Sequence, residues 1–321
     1  MAERVRYDAT AVRPSWDELP GPVRDLVTGW VGTPVAWQSA GGGFTRGFAS
    51  TLTAEDGSRS FVKAVPFSNV HITASYRREI AVHQVLPAGV PAPRLLHSAE
   101  VGVGDDGWVV LAFEHAEGRM PGNPWTSADL AAAVGTLERM AVALRDVVWD
   151  DPATLVAEAS EDPEVFTVWE TYDASALPDG LDAFVEANRE RLAVATGRSL
   201  EAFRGDTWGH CDVRADNMVV GGDQVWVVDW NWLCRAPEWA DLGLLLPQVH
   251  ADGVDLAPAY ASPLLAGVDP DDLDAGIAWL GALMVFFSGQ PVFEGGSPWI
   301  RPHQAWTAEA CLRLLRDRWA A

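Results

Sequence analysis

Two short segments hold most of the side chains in this sequence that could do chemistry together. Gly209-His210-Cys211-Asp212-Val213-Arg214-Ala215-Asp216-Asn217-Met218-Val219-Val220 is followed closely by Gln224-Val225-Trp226-Val227-Val228-Asp229-Trp230-Asn231-Trp232. Asp212 and Asn217 lie on a loop that leads into a short apolar strand, and Asp229 ends the next strand. Gly221-Gly222-Asp223 between them reads as a turn. The resulting hairpin brings Asp229 to the edge that Asp212 and Asn217 occupy. One carboxylate, one amide oxygen and a second carboxylate then converge, a set of hard oxygen donors suited to magnesium (Mg2+), which keeps waters and completes its shell with phosphates.

A second group lies upstream. Of the 23 basic residues only Lys63 is lysine, and a lone compact ammonium among arginines marks a position with its own requirement. Lys63 falls on an apolar strand, Glu79 on the helical pattern that follows it, and Gly41-Gly42-Gly43 on a turn before it. Together these are the parts phosphoryl transfer needs, because its catalysis consists mainly of positioning and of neutralising phosphate charge. Asp212 would orient an acceptor hydroxyl and take its proton, and Asn217 and Asp229 would hold the metal against the phosphates. Lys63, paired with Glu79, would reach the α- and β-phosphates. The glycines would let main chain approach them closely.

The order of these parts resembles the aminoglycoside phosphotransferase family of antibiotic and small-metabolite kinases, from about Gly41 to Leu246. Its His-x-Asp-x-x-x-x-Asn pattern is met by His210, Asp212 and Asn217, its metal aspartate before an aromatic by Asp229-Trp230, and its later Asp-Leu by Asp241-Leu242. The glycine-rich turn corresponds to Gly42-Gly43-Phe44-Thr45, and the hinge that would contact adenine to Phe113-Glu114-His115-Ala116. The resemblance implies an α+β protein-kinase-like two-lobe fold: an antiparallel sheet plus helix in the N-lobe, and a mostly helical C-lobe. It implies ATP and Mg2+ as cofactors, a structural Asp241, and a His210 that supports the loop without acting as base. It departs from the family at Cys211, where glycine is common. Arg214 reads equally as a γ-phosphate contact or as a structural partner of Asp216 or Asp241.

The elements that must position these residues are legible in outline. A helical pattern runs from Ser15 to about Trp30, interrupted by Pro20 and Pro22. Strands are expected over Val35–Gln38, Phe44–Thr53 and Ser60–Val65, then a helix capped by Thr73 from about Ala74 to Leu86. Two further strands, Leu95–Val101 and Trp108–Phe113, precede a break at Glu114–Gly118. This puts a nucleotide-binding N-lobe with an N-terminal helix at residues 1–116, and a helical C-lobe with catalytic loop and acceptor site at 117–321. In the latter, a helical stripe begins at Ser127 and continues to Val148, and two late helices are expected near 271–288 and 302–319.

Composition narrows the function. The net charge of −22 disfavours nucleic acid and serves either solubility or a cationic partner. No apolar stretch is long enough for a membrane span, and Met1–Thr10 lacks the apolar core of a secretory signal, so a cytoplasmic location is expected. Cys211, Cys234 and Cys311 form neither a disulfide framework nor a spaced metal site. Ala236-Pro237-Glu238 follows Asp229 too closely to leave room for an activation loop, which disfavours a peptide substrate. The acidic stretch from Asp150 to Glu170 reads as a connector or as the wall of an amine site. Phe293 and Trp299 are the aromatic candidates for ligand contact. The expected activity is transfer of the ATP γ-phosphate to a hydroxyl of a small molecule, such as an aminoglycoside-like antibiotic. The alternatives are a kinase of an amino sugar, amino alcohol or other metabolite, and an inactive kinase fold that only binds a nucleotide or partner.

Overall fold

The structure, a computed structural model, describes residues 9–222 and 224–320. Residues 1–8, most of the segment read as lacking a secretory signal, and Asp223 of the hairpin turn lie outside the described residues. The first half is built on an antiparallel sheet of β1 (Pro34–Ser39), β2 (Phe48–Ala54), β3 (Arg59–Pro66), β4 (Leu95–Val101) and β5 (Trp108–Glu114), in the order β1-β2-β3-β5-β4. Alternation along the two inner strands divides its faces. Val62 and Ala64 of β3 and Val110 and Ala112 of β5 pack under Trp16, Leu19, Val23 and Val27. The last two belong to α1 (Gly21–Val31). Val65, Val109, Leu111 and Phe113 face the other way, onto Ile72 and Tyr76 of α2 (Val70–His83). Lys63 shares the parity of Val65 and therefore points at α2.

The expected helix from Ser15 is divided. Ser15 and Glu18 form a capping box around a short 3-10 turn, Trp16–Glu18, and α1 starts only at Gly21, because prolines 20 and 22 fit a first turn and not an interior. α2 begins earlier than the Thr73 cap suggests. Asn69 accepts from the Ile72 N–H at 3.3 Å, while the Thr73 hydroxyl donates to the Pro66 carbonyl at 3.1 Å.

Beyond β5 the chain is mainly helical: α3 (Ser127–Leu144), α4 (Leu155–Ala159), α5 (Val168–Thr171), α6 (Leu181–Ala202), α7 (Ala240–Ala251), α8 (Ala257–Tyr260), α9 (Pro270–Ser288) and α10 (Ile300–Ala320). α9 packs against both α6 and α10. Two ribbons interrupt the helices, β6 (Thr207–Gly209) with β9 (Cys234–Ala236) and β7 (Met218–Gly221) with β8 (Gln224–Val227). The stripe expected to reach Val148 stops at Leu144, and Val148 is left 91% exposed. The acidic stretch is more than a connector. Asp151 forms a two-pronged ion pair with Arg78 of α2 at 2.6 and 2.9 Å, and Arg78 also donates to the Leu233 carbonyl at 2.9 Å. None of the helices among the described residues is long and apolar enough to cross a membrane.

Two histidines, half-buried His83 and buried His303, make this packing sensitive to acid. Burial, aided by the Lys63 charge, pushes His83 down to about 4, and burial beside Arg214 pushes His303 down to about 3. Both rings stay neutral in the folded chain while the unfolded chain takes up protons below an ordinary pKa of about 6.5. Their contribution is complete above that value and is lost as pH falls toward the folded values. Each is expected to cost about 1–2 kcal/mol of stability between pH 7 and pH 5. Urea unfolding at the two pH values measures it, and His303→Gln should reduce the difference.

Candidate active site

The loop after β6 is held from behind. Asp241, in the first turn of α7, accepts the main-chain N–H groups of His210 and Cys211 at 2.9 and 2.7 Å. It takes no part in pairing Arg214. The fully buried His210 ring bridges the Asp212 loop and the segment that follows β8. Its Nε2 donates to the Val228 carbonyl at 3.0 Å and its Nδ1 accepts the Asp212 N–H at 3.2 Å. Only the neutral ring with hydrogen on Nε2 satisfies both partners, and burial holds its pKa below the ordinary value. The Trp230 indole closes edge-on against it at 4.7 Å.

Cys211 takes a left-handed conformation, φ +62°, which accounts for the glycine common at this position in the resembled family. Its thiol lies 3.0 Å from that of Cys234, and both are free. A left-handed non-glycine residue costs on the order of 1–2 kcal/mol. Cys211→Gly is therefore expected to leave turnover within about threefold and stability within about 1 kcal/mol, whereas the β-branched Cys211→Val should lose about 2 kcal/mol or more. Thermal unfolding and steady-state rates check both.

Around Asp212 every polar contact is short. The Asn217 amide donates to its carbonyl at 2.8 Å and to Oδ2 at 3.0 Å. Arg214 donates from Nη1 to Asp212 Oδ1 at 3.0 Å, and from Nε and Nη2 to Asp216 at 3.0 and 3.2 Å. Burial pushes the Asp212 carboxyl up to about 7, against the pull of Arg214. Across the cleft, Lys63 Nζ bonds both Glu79 oxygens and Asp229 Oδ1, each at 2.8 Å. Burial works against the ammonium, but the two carboxylates prevail and raise its pKa. Burial also pushes Glu79 up. At Asp229 burial acts in the same sense, but Lys63 more than offsets it and leaves the carboxyl below its usual range. Asp229 has φ +67°, one residue past Val228, whose N–H bonds the Asn217 carbonyl at 2.9 Å. The main chain thereby brings Asn217 beside Asp229, and the Asn217 oxygen, its amide nitrogen being turned to Asp212, and the Asp229 carboxylate are hard oxygen donors of the kind magnesium takes.

The glycine-rich turn spans residues 40–47, and β2 begins at Phe48, four residues later than expected, because Phe44 leaves the sheet. Its ring is buried, stacked on His303 of α10 at 4.6 Å, packed on Trp306, and 5.7 Å from the Arg214 guanidinium. Thr45 bridges Gly296, and Ser297 N–H donates to the Phe44 carbonyl at 2.7 Å. Phe44 alone of the four turn residues thereby reaches the loop that carries Asp212, while Gly42 and Gly43 bond Arg13 and Thr10 through their carbonyls and Thr45 bridges Gly296. Phe293 and Trp299 flank this clasp and are exposed. At the hinge, Glu114 is paired to Arg94 at 2.8 Å and His115 to Thr51 at 3.3 Å, with Ala116 following them. The sequence reading missed Arg13, His303, Trp306 and Ser297, since none lies in a spaced motif.

A sheet-and-helix unit joined through a short segment to a helical unit, with lysine, aspartate and asparagine groups meeting between them, defines a kinase-like phosphotransferase. Residues 44–276 match the phosphotransferase enzyme family, APH, and the chain belongs to that family. Comparison with curated protein sequences gives no match. Among solved structures, the chain is similar to spectinomycin phosphotransferase in complex with ADP and spectinomycin (TM-score 0.57, 14% identity, 93% of this chain and 98% of that one). It is also similar to an aminoglycoside phosphotransferase from Alicyclobacillus acidocaldarius (0.54, 18%, 93% and 96%). A third similar structure is a choline/ethanolamine kinase family protein from Mesorhizobium loti (0.51, 16%, 91% and 90%). At these identities the likeness is one of fold.

Proposed function

We propose that this phosphotransferase moves the γ-phosphate of ATP to a hydroxyl of a small molecule. The observation that carries the reading is the meeting of Lys63, Glu79 and Asp229 at 2.8 Å across the cleft from Asp212 and Asn217. Lys63 would neutralise the α- and β-phosphates while Glu79 keeps its ammonium in place. Magnesium, held by Asn217 and Asp229, would supply charge neutralisation between the phosphates. Asp212, a carboxylate raised toward neutrality by burial, would accept the acceptor's proton as the hydroxyl attacks. Arg214 bonds Asp212 directly and would fix the orientation of that carboxylate. Glu114, His115 and Ala116 would line the adenine end.

The acceptor class follows less from charge than from walls. The carboxylates beside the proposed base are already paired, Asp216 with Arg214 and Asp229 with Lys63, while Phe44, His303 and Trp306 form a buried aromatic cluster behind Arg214. The net charge of −22 favours an amine-bearing acceptor only through long-range attraction. The test is magnesium-dependent ADP release from ATP over aminoglycosides, macrolides, peptide antibiotics, amino sugars and amino alcohols, with Asp212→Ala alongside. Turnover with one class, absent in the variant, establishes the reaction and its substrate. Nucleotide binding without turnover across acceptors of every class would favour an inactive nucleotide-binding protein.

A further inference from the structure

The segment ahead of α1 is bound to the glycine-rich turn almost entirely through main-chain carbonyls. Arg13 donates to three of them: from Nε to Ala40 at 3.2 Å, from Nη2 to Gly42 at 2.8 Å, and from Nη1 to Gly47 at 2.9 Å. The Ala11 N–H donates to the Gly41 carbonyl at 2.9 Å and the Thr10 hydroxyl to that of Gly43 at 3.1 Å. Ser297, from the clasp beside α10, donates in turn to the Thr10 carbonyl. Carbonyls 40, 41, 42 and 43 are thus all drawn toward residues 10–13.

In a trans peptide the carbonyl and the following N–H point in opposite directions. Turning those carbonyls to one side therefore turns the N–H groups of Gly41, Gly42 and Gly43 to the other. None of these three N–H groups donates to a described residue. Successive main-chain N–H groups presented in this way form a concavity that binds anions. Gly43 shows how tightly the two segments fit. Its φ is +95°, and a Cβ there would lie 2.7 Å from Arg13 Nη2. The positive φ favours glycine, and a side chain there would also displace the guanidinium. Arg13 lies outside the family match at 44–276.

We infer that Arg13 is a positioning residue of the nucleotide site: it holds the turn in the shape that presents Gly41–Gly43 N–H groups to the phosphates of the bound nucleotide. A planar guanidinium serves the three carbonyls from three nitrogens in a fixed plane, whereas an ammonium directs its donors from a single atom on a flexible stem. The inference rests on the proposed use of ATP, and the test separates the two. Binding of ATP with magnesium and of adenosine, which lacks phosphates, is measured for the wild type, Arg13→Lys and Arg13→Gln, with thermal unfolding of each.

Both variants are expected to weaken ATP binding about tenfold or more, the scale of a lost charged hydrogen bond, and to leave adenosine binding within about twofold. Equal weakening of both ligands, or wild-type ATP binding in Arg13→Lys, would overturn the role of Arg13. A wild type that binds adenosine and ATP equally would also overturn it, because the turn would then contribute nothing to phosphate binding. A wild type that binds no adenine nucleotide would remove the functional reading itself. A variant that does not fold leaves the other to decide, and unfolding of both would assign Arg13 to stability and overturn the inference.

Discussion

Asp212→Asn is expected to lower turnover by about a hundredfold to ten-thousandfold, the range attributable to a positioned general base, with nucleotide KM within about threefold. The substitution keeps the size and planarity of the side chain. Arg214 can still donate to the amide oxygen, and Asn217 keeps its bond to the main-chain carbonyl of residue 212 at 2.8 Å. What disappears is the ability to take a proton from the acceptor, together with the Asn217 donation to Oδ2 at 3.0 Å. Stability should hold or rise slightly, since the carboxyl is under pressure from burial in the folded chain, as its rise to about 7 shows. Steady-state kinetics and a thermal melt together check this. Loss of turnover with a matching loss of stability would instead assign Asp212 to the fold.

Lys63→Met should affect both activity and stability. Turnover is expected to fall by about a hundredfold or more, because preorganised charge on the phosphates is the main catalytic term in this chemistry. Stability is expected to fall by about 3 kcal/mol, because Glu79, 1% exposed, is left as a buried carboxylate without its cation. Burial already raises Glu79, and without Lys63 its folded pKa rises further above the unfolded one. A carboxyl raised in the folded state stabilises at low pH and loses that contribution as pH rises through the folded value. The deficit of Lys63→Met should therefore shrink on acidification. Adding Glu79→Gln should restore part of the stability and none of the activity, a non-additive pair that separates the two roles of the lysine. Urea unfolding over pH and initial rates measure both.

Much of this site was legible because its residues follow local rules. Period-two alternation on β3 sets the face of Lys63, helical spacing puts Glu79 opposite it, and a glycine turn folds β7 onto β8 so that Asn217 and Asp229 meet. The segments that went unread are joined only by tertiary contacts. Nothing near Arg13 announces that its guanidinium serves carbonyls 27 to 34 residues away, and nothing near Phe44 shows that it leaves a strand for a pocket on α10. Boundaries shifted where a side chain chose an unexpected partner, as Thr73 did in bonding Pro66 instead of capping α2. The structural pairing expected of Arg214 falls on Asp216, with Asp212 beside it, while Asp241 is occupied by main-chain N–H groups.

The cleft between Lys63 and Asp212 is proposed to bind a nucleotide through a metal held by Asn217 and Asp229. Calorimetric titration of ATP into the wild type and Asp229→Asn, each with and without magnesium, tests it most directly. Magnesium is expected to tighten binding to the wild type by about tenfold or more, the metal joining the carboxylate to the phosphates, and Asp229→Asn is expected to lose that gain. Equal ATP binding with and without magnesium in both chains, or no nucleotide binding in either, would contradict it.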